Sequence, residues 1–171
     1  MTDNFIQLGK TNLLTLKIKT DKGDVTGETL VFDLENPDLL LKYQDMIDED
    51  KKNWQNTRNK IRIIDKQQDH KGKKMLSSNQ EARIRATSEF FKKEQEIFDM
   101  FLGDGGTAKL LNGRTFNWST MAEIKKIILE QIAPYLDKTM DMITENVKKE
   151  YGENIFNDSE VLKWDILNML K

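Results

Sequence analysis

The chain has no cysteine, one histidine and two prolines in 171 residues. Without cysteine it can form neither disulfides nor thiolate metal sites, and it has no thiol nucleophile. Its single histidine, His70, lies in the lysine-rich stretch KQQDHKGKK, with no apolar wall beside it to tune an acid or base. G-x-S-x-G, H-E-x-x-H and dinucleotide fingerprints are all missing. No apolar run approaches the roughly 18 residues needed to cross a bilayer. The opening MTDNFIQLGK lacks the charged start and apolar run of a secretory signal. These absences lead us to expect a cytoplasmic protein without membrane contact, not an enzyme, with no catalytic residues, no metal and no cofactor.

What is present is charge and periodicity. Hydrophobic residues make up 37% and charged residues 33%, a polar but foldable balance suited to one domain over residues 1–171. The net charge of −2 is unevenly spread. From Arg58 to Arg85, nine basic residues face three acidic ones, so that segment is near +6 and the remainder near −8. Such asymmetry suits a nucleic-acid contact or a complementary protein surface.

The patterning predicts an α+β fold, mostly α: an N-terminal β-hairpin, three long helices and a short C-terminal helix. Leu14, Leu16 and Ile18 alternate with Thr15, Lys17 and Lys19, the period-two signal of a half-buried strand. After a turn-rich DKGDVTG, the stretch Thr29 to Leu34 reads as the returning strand, giving a hairpin over 12–35 with a long turn. A lone hairpin is marginal in water, so it must lie on the helices or pair with another chain. Asn36-Pro37 is a helix start, with Asn36 as cap. Leu40, Tyr43, Ile47, Trp54, Ile61 and Ile64 then follow a spacing near seven, predicting one long helix over 36–65, part of it projecting. Residues 66–78 lack periodicity and read as an exposed, mobile basic loop.

Residues 79–152 read as a helical pair with a glycine-rich loop. Ser78-Asn79-Gln80-Glu81 has capping-box spacing, and Phe91, Phe98 and Phe101 share a helical face widened by Phe90, Ile97 and Leu102. Gly103 is placed to end that helix in a left-handed conformation. Thr120-Met121-Ala122-Glu123 has the spacing to open the next helix, whose stripe runs through Met121, Ile124, Ile128, Ile132 and Leu136. The two helices are expected to pack face to face, with the loop folded over their open end. Pro134 predicts a kink or short break, because it removes a backbone donor and crowds the preceding turn.

Candidate sites are few. Gly103-Asp104-Gly105-Gly106-Thr107 follows a helix, not a strand, and lacks both Gly-Lys-Ser/Thr and alternating acids, so it reads as turn chemistry. Asp48, Glu49 and Asp50 are consecutive on a helix and point in three directions, whereas Asp137 and Asp141 could share an ion or line an acidic surface. Met100, Met121, Met140, Met142 and Met169 fall in helical stripes, suited to a core or to a surface that re-packs around a partner. The segment 157–171 has apolar residues almost all round. One side is expected to dock on the body, or the whole helix to be sandwiched within the fold. In the docking reading the other side (Val161, Trp164 and Leu167) meets a subunit or partner helix.

The order of features resembles the small tail assembly chaperones of long-tailed, siphovirus-type bacteriophages. The likeness spans roughly residues 28 to 155. It runs from the hairpin ending Leu30-Val31-Phe32-Asp33-Leu34, through the helix opened by Asn36-Pro37, to Phe98-Asp99-Met100-Phe101-Leu102-Gly103 and the second helix pair. The resemblance implies a mostly helical, non-enzymatic protein of the bacterial host cytoplasm, forming homo-oligomers. Its partners would be the phage tape measure protein and tail tube protein. The alternative from another class is a nucleic-acid-binding accessory protein using the basic segment 58–85, although the loop itself has no interleaved aromatics for base stacking.

Overall fold

The computed structural model describes residues 12–19, 23, 25–73 and 75–151. Within them the chain is α+β and mostly α: a two-stranded antiparallel hairpin followed by helices. Strand β1 spans Leu13–Lys19 and β2 spans Val25–Asp33, in the register Leu14↔Phe32 and Leu16↔Leu30. The alternation holds. Ile18, Leu30, Phe32 and Leu34 are buried, and Leu14 and Leu16 are half-buried. The second strand starts earlier than expected, because Val25–Gly27 join it. The pairing slips between Lys17 and Lys19, and Gly27, at φ +87°, takes up the irregularity. The hairpin lies on the helices, where Phe32 stacks on Phe101 with ring centroids 5.6 Å apart.

Helix α1 runs unbroken over Asp38–Lys66, and Asn36 Oδ1 accepts the Asp38 N–H at 2.9 Å. Helix α2, Ser78–Leu102, returns antiparallel along it. Contacts climb one helix as they descend the other: Tyr43 on Phe101, Asn53 on Glu94, Lys60 on Glu89 and Arg83 on Asp65. The capping residue of α2 is Ser77, one earlier than its spacing suggested. Ser77 Oγ accepts the Gln80 N–H, and Gln80 Oε1 accepts the Ser77 N–H. Ser78 is drawn away instead, its hydroxyl accepting the His70 N–H at 3.0 Å. The connector is therefore exposed but tied. Asp69 Oδ1 accepts the Asn79 N–H, and Asn79 Nδ2 donates to the carbonyls of Ile64 and Gln67 at the end of α1.

Past α2 the chain is more regular than a loop. Gly103 closes the helix at φ 89°, ψ 164°, a positive-φ region outside the left-handed helical basin and essentially restricted to glycine. A short helix, α3, follows over Gly106–Leu111, its Thr107 N–H held by Asp99 Oδ1 at 2.7 Å. Helix α4, Trp118–Ile127, starts two residues before Thr120. Asn117 is the cap, accepting from the N–H groups of Ser119 and Thr120, and the Thr120 hydroxyl accepts the Asn117 N–H. Asparagine is the stronger cap of the two, and Thr120 reciprocates from the third helical position.

The expected break at Pro134 is a five-residue π-helical segment, Ile128–Ile132, after which α5 runs over Ala133–Tyr151. The wider turn absorbs the missing donor and the ring without interrupting the helix. Met121, Ile124, Ile128, Ile132 and Leu136 are all buried, as their spacing predicts. The face-to-face pairing is different from expectation. The long partner of α2 is α1, and α4 lies over the α1–α2 seam, where Lys125 bonds Asp50 of α1 and sits 5.8 Å from the Phe98 ring of α2.

Candidate docking cleft on the helical arm

Between Ile47 and Ile64 no residue of α1 is buried, and before Phe90 only Ala86 of α2 is. This half of the pair is an arm standing clear of the core, which matches the projection inferred from length. At its base lies the N-terminal end of α4, whose first residue is Trp118. The Asn117 cap fixes that indole on Phe90, with centroids 5.2 Å apart and planes at 29°, and edge-on to Phe91 at 4.7 Å. Trp54 comes in from α1, 5.4 Å from Trp118 and 4.8 Å from Phe90. Both indoles stay half open to water, at 41% and 49% exposure.

Beside them lies a cleft of about 420 Å³, lined by Trp54, Trp118, Phe90, Ile61 and the arginines Arg58 and Arg62, with Thr57 and Thr87. Trp54, Arg58 and Arg62 are four apart in turn, so they share one face of α1. Three of the nine basic residues of the segment are paired: Lys60 with Glu89, Arg83 with Asp65 at 2.6 Å, and Arg85 with Glu81 at 2.7 Å. Arg58 and Arg62 have no hydrogen bond or ion pair among the described residues. The cleft thus joins apolar aromatic surface to two uncompensated guanidinium groups, the residue types that dominate binding energy at protein interfaces.

A buried polar cluster holds this geometry from below. The Lys125 ammonium lies 2.7 and 2.9 Å from the two Asp50 oxygens and 5.9 Å from the Trp54 ring. Asn53 Nδ2 donates to Glu94 Oε1 at 2.7 Å and to the Phe90 carbonyl at 3.2 Å. Glu94 is fully buried and its Oε2 has no partner. Burial first, and then contact with the Asp50 carboxylate, push its carboxyl up to about 8. Glu94 is not among the residues lining the cleft, so it orients helices and does not face an occupant.

The residues singled out from sequence scatter. Asp48 accepts from Gln44, Glu49 pairs with Lys52, and Asp50 pairs with Lys125, three separate directions on α1. Asp137 and Asp141 are both exposed on α5. Among the described residues no three acidic or histidine side chains gather at metal-binding distance, and no helix is long and apolar enough to cross a membrane. Met121 is buried and Met140 half-buried, while Met100 and Met142 are exposed. Val161, Trp164, Leu167 and Met169 lie outside the described residues, as does the whole segment 157–171.

The cleft is not visible in the sequence pattern, where Trp54 is one position in the stripe of a long helix and the next helix opens only at Thr120, leaving Trp118 outside it. The usable signals were the Trp-Arg-Arg spacing of 54, 58 and 62 and the Asn117–Thr120 cap, which puts Trp118 at a helix start. No protein-family model, curated protein or solved structure matches this chain.

Proposed function

We propose that this chain is a non-enzymatic tail assembly chaperone of a long-tailed bacteriophage. In this reading it binds the tape measure and tail tube proteins in the host cytoplasm during tail morphogenesis and associates with further copies of itself. The observation that carries the proposal is the open cleft on the helical arm. Two half-exposed indoles and two uncompensated arginines are fixed there on regular helices. Leaving such surface open is costly unless something covers it, and its chemistry is that of a protein-binding hot spot. The order of hairpin, long helix, glycine junction and second helical stripe supports the same reading. The test is co-expression with phage tape measure and tail tube proteins, followed by size-exclusion chromatography. A stable complex with either client is expected; elution of the chain alone in the presence of both overturns the proposal.

One observation favours the alternative, a nucleic-acid accessory protein. The basic segment lacks aromatics of its own, but the fold brings Trp54 and Trp118 beside Arg58 and Arg62. Binding of single-stranded nucleic acid that weakens steeply with salt, with no client complex, would promote it.

A further inference from the structure

The cleft begins at the N-terminal end of α4. Helix α4 starts at Trp118 and covers the α1–α2 seam as far as Lys125, which lies over Asp50 and Phe98. Beyond Trp118 the seam continues along α1 from Thr57 to Ile64, about 10 Å at 1.5 Å per residue, and no helix among the described residues covers it. On the α2 side, Thr87 lines the cleft, and Ile84, one turn further, is 55% exposed. A two-helix seam that has accepted one helix over half its length offers the same ridges and grooves over the rest.

The charge pattern selects the occupant. Arg58 and Arg62 lie one turn apart on α1, roughly 6 Å along its axis, and neither is neutralised by a described residue. Carboxylates four apart on a docked helix match that spacing. On the other side of Trp54, α1 carries Asp45, Asp48, Glu49 and Asp50. Glu49 and Asp50 are paired with Lys52 and Lys125, so Asp45 and Asp48 are the acids that would repel a polyphosphate strand continuing past the indoles, whereas a short helix ends before reaching them.

We infer that the cleft bounded by Trp54, Trp118, Arg58 and Arg62 docks an acidic amphipathic helix of a partner protein. Its apolar stripe lies on the two indoles and Ile61, and carboxylates beside the stripe reach the two arginines. The inference rests on the protein-binding reading above and names the surface and the chemistry of the partner.

The test uses the full chain and three labelled probes followed by fluorescence anisotropy. Two are helical peptides with the same Leu/Phe stripe, one flanked by Glu and one by Lys. The third is a single-stranded oligothymidylate. The Glu-flanked peptide is expected to bind at least roughly ten-fold tighter than the Lys-flanked one. The double variant Arg58→Glu/Arg62→Glu, altered only at exposed positions, should reverse that preference with unchanged circular dichroism. The inference is overturned if the Glu-flanked peptide does not bind, if the double variant keeps the wild-type preference, or if oligothymidylate displaces the peptide. It is equally overturned if a peptide of residues 157–171 displaces it, which would make the occupant internal. Client co-purification that survives the double variant removes the cleft and leaves the chaperone reading. Peptide preference without any client complex does the reverse.

Discussion

Glu94 shows how one side chain can stabilise an arrangement and also burden it. Its carboxyl is fully buried, with one oxygen bonded to Asn53 and the other without a partner. The folded-state value of about 8 lies above the ordinary 4.5. Below pH about 4 the group is protonated in both states and adds no pH-dependent penalty. As pH rises from 4.5 to 8 the unfolded chain loses this proton first, so folding becomes progressively less favourable. Glu94→Gln keeps the shape and an Asn53 contact but cannot ionise. It should gain stability relative to the wild type between pH 4 and pH 9, by up to about 5 kcal/mol. Denaturant midpoints at the two pH values check this, and parallel profiles for the two proteins would refute it. Phe98 is the opposite case, an apolar side chain at 1% exposure. Phe98→Ala should cost about 3–5 kcal/mol through lost burial and an unfilled cavity. A melting temperature within a degree or two of the wild type would contradict that placement.

At the level of elements, the helix ends do most of the organising. Asn79 belongs to the first turn of α2 yet closes α1, through side-chain bonds to Ile64 and Gln67 that satisfy carbonyls the helix leaves open. With Asp69 and Ser78 it holds the two helices in register across the connector between Lys66 and Ser78. Asn79→Ala should cost about 1 kcal/mol by analogy with other lost caps. It should also speed tryptic cleavage between Lys66 and Lys74, where the first cuts are expected in the wild type. Early cleavage elsewhere, with this connector protected, would point to a different organisation of the arm. The glycine junction is similarly specific. A Cβ on Gly106 would stand 2.5 Å from Leu102 Cβ, so this glycine lets α3 approach the end of α2.

For the whole molecule, the core joins the hairpin, α1, α2 and α4–α5, whereas the arm beyond Trp54 has little buried surface of its own. Binding and folding can therefore be separated by position. The segment 157–171, with Val161, Trp164 and Leu167, is proposed as a second docking element for another subunit or a client. Deleting it should leave circular dichroism and the unfolding transition of the body near wild type while abolishing self-association or client binding. Unfolding of the truncated chain would show instead that the segment is core.

The sequence by itself determined the local elements: the hairpin face of Leu30, Phe32 and Leu34, the 29-residue α1, the Phe98/Phe101 face and the stripe from Met121 to Leu136. Each is written within a few turns of chain, because side-chain period follows directly from backbone geometry. Caps were legible only to within one to three residues, since neighbouring Ser, Asn and Thr compete for the same N–H groups. Only the tertiary structure decided which stripes meet, and with that the cleft, the buried Glu94 and the closure of α1 by Asn79. Trp54 has the spacing of a core residue, and its period does not say that α4 starts too late to cover it. That outcome depends on Trp118, roughly sixty residues away in the chain, landing on Phe90. Packing between distant surfaces of similar hydrophobicity is settled by shape and by charge pairs such as Asp50–Lys125, and neither is visible in a local pattern.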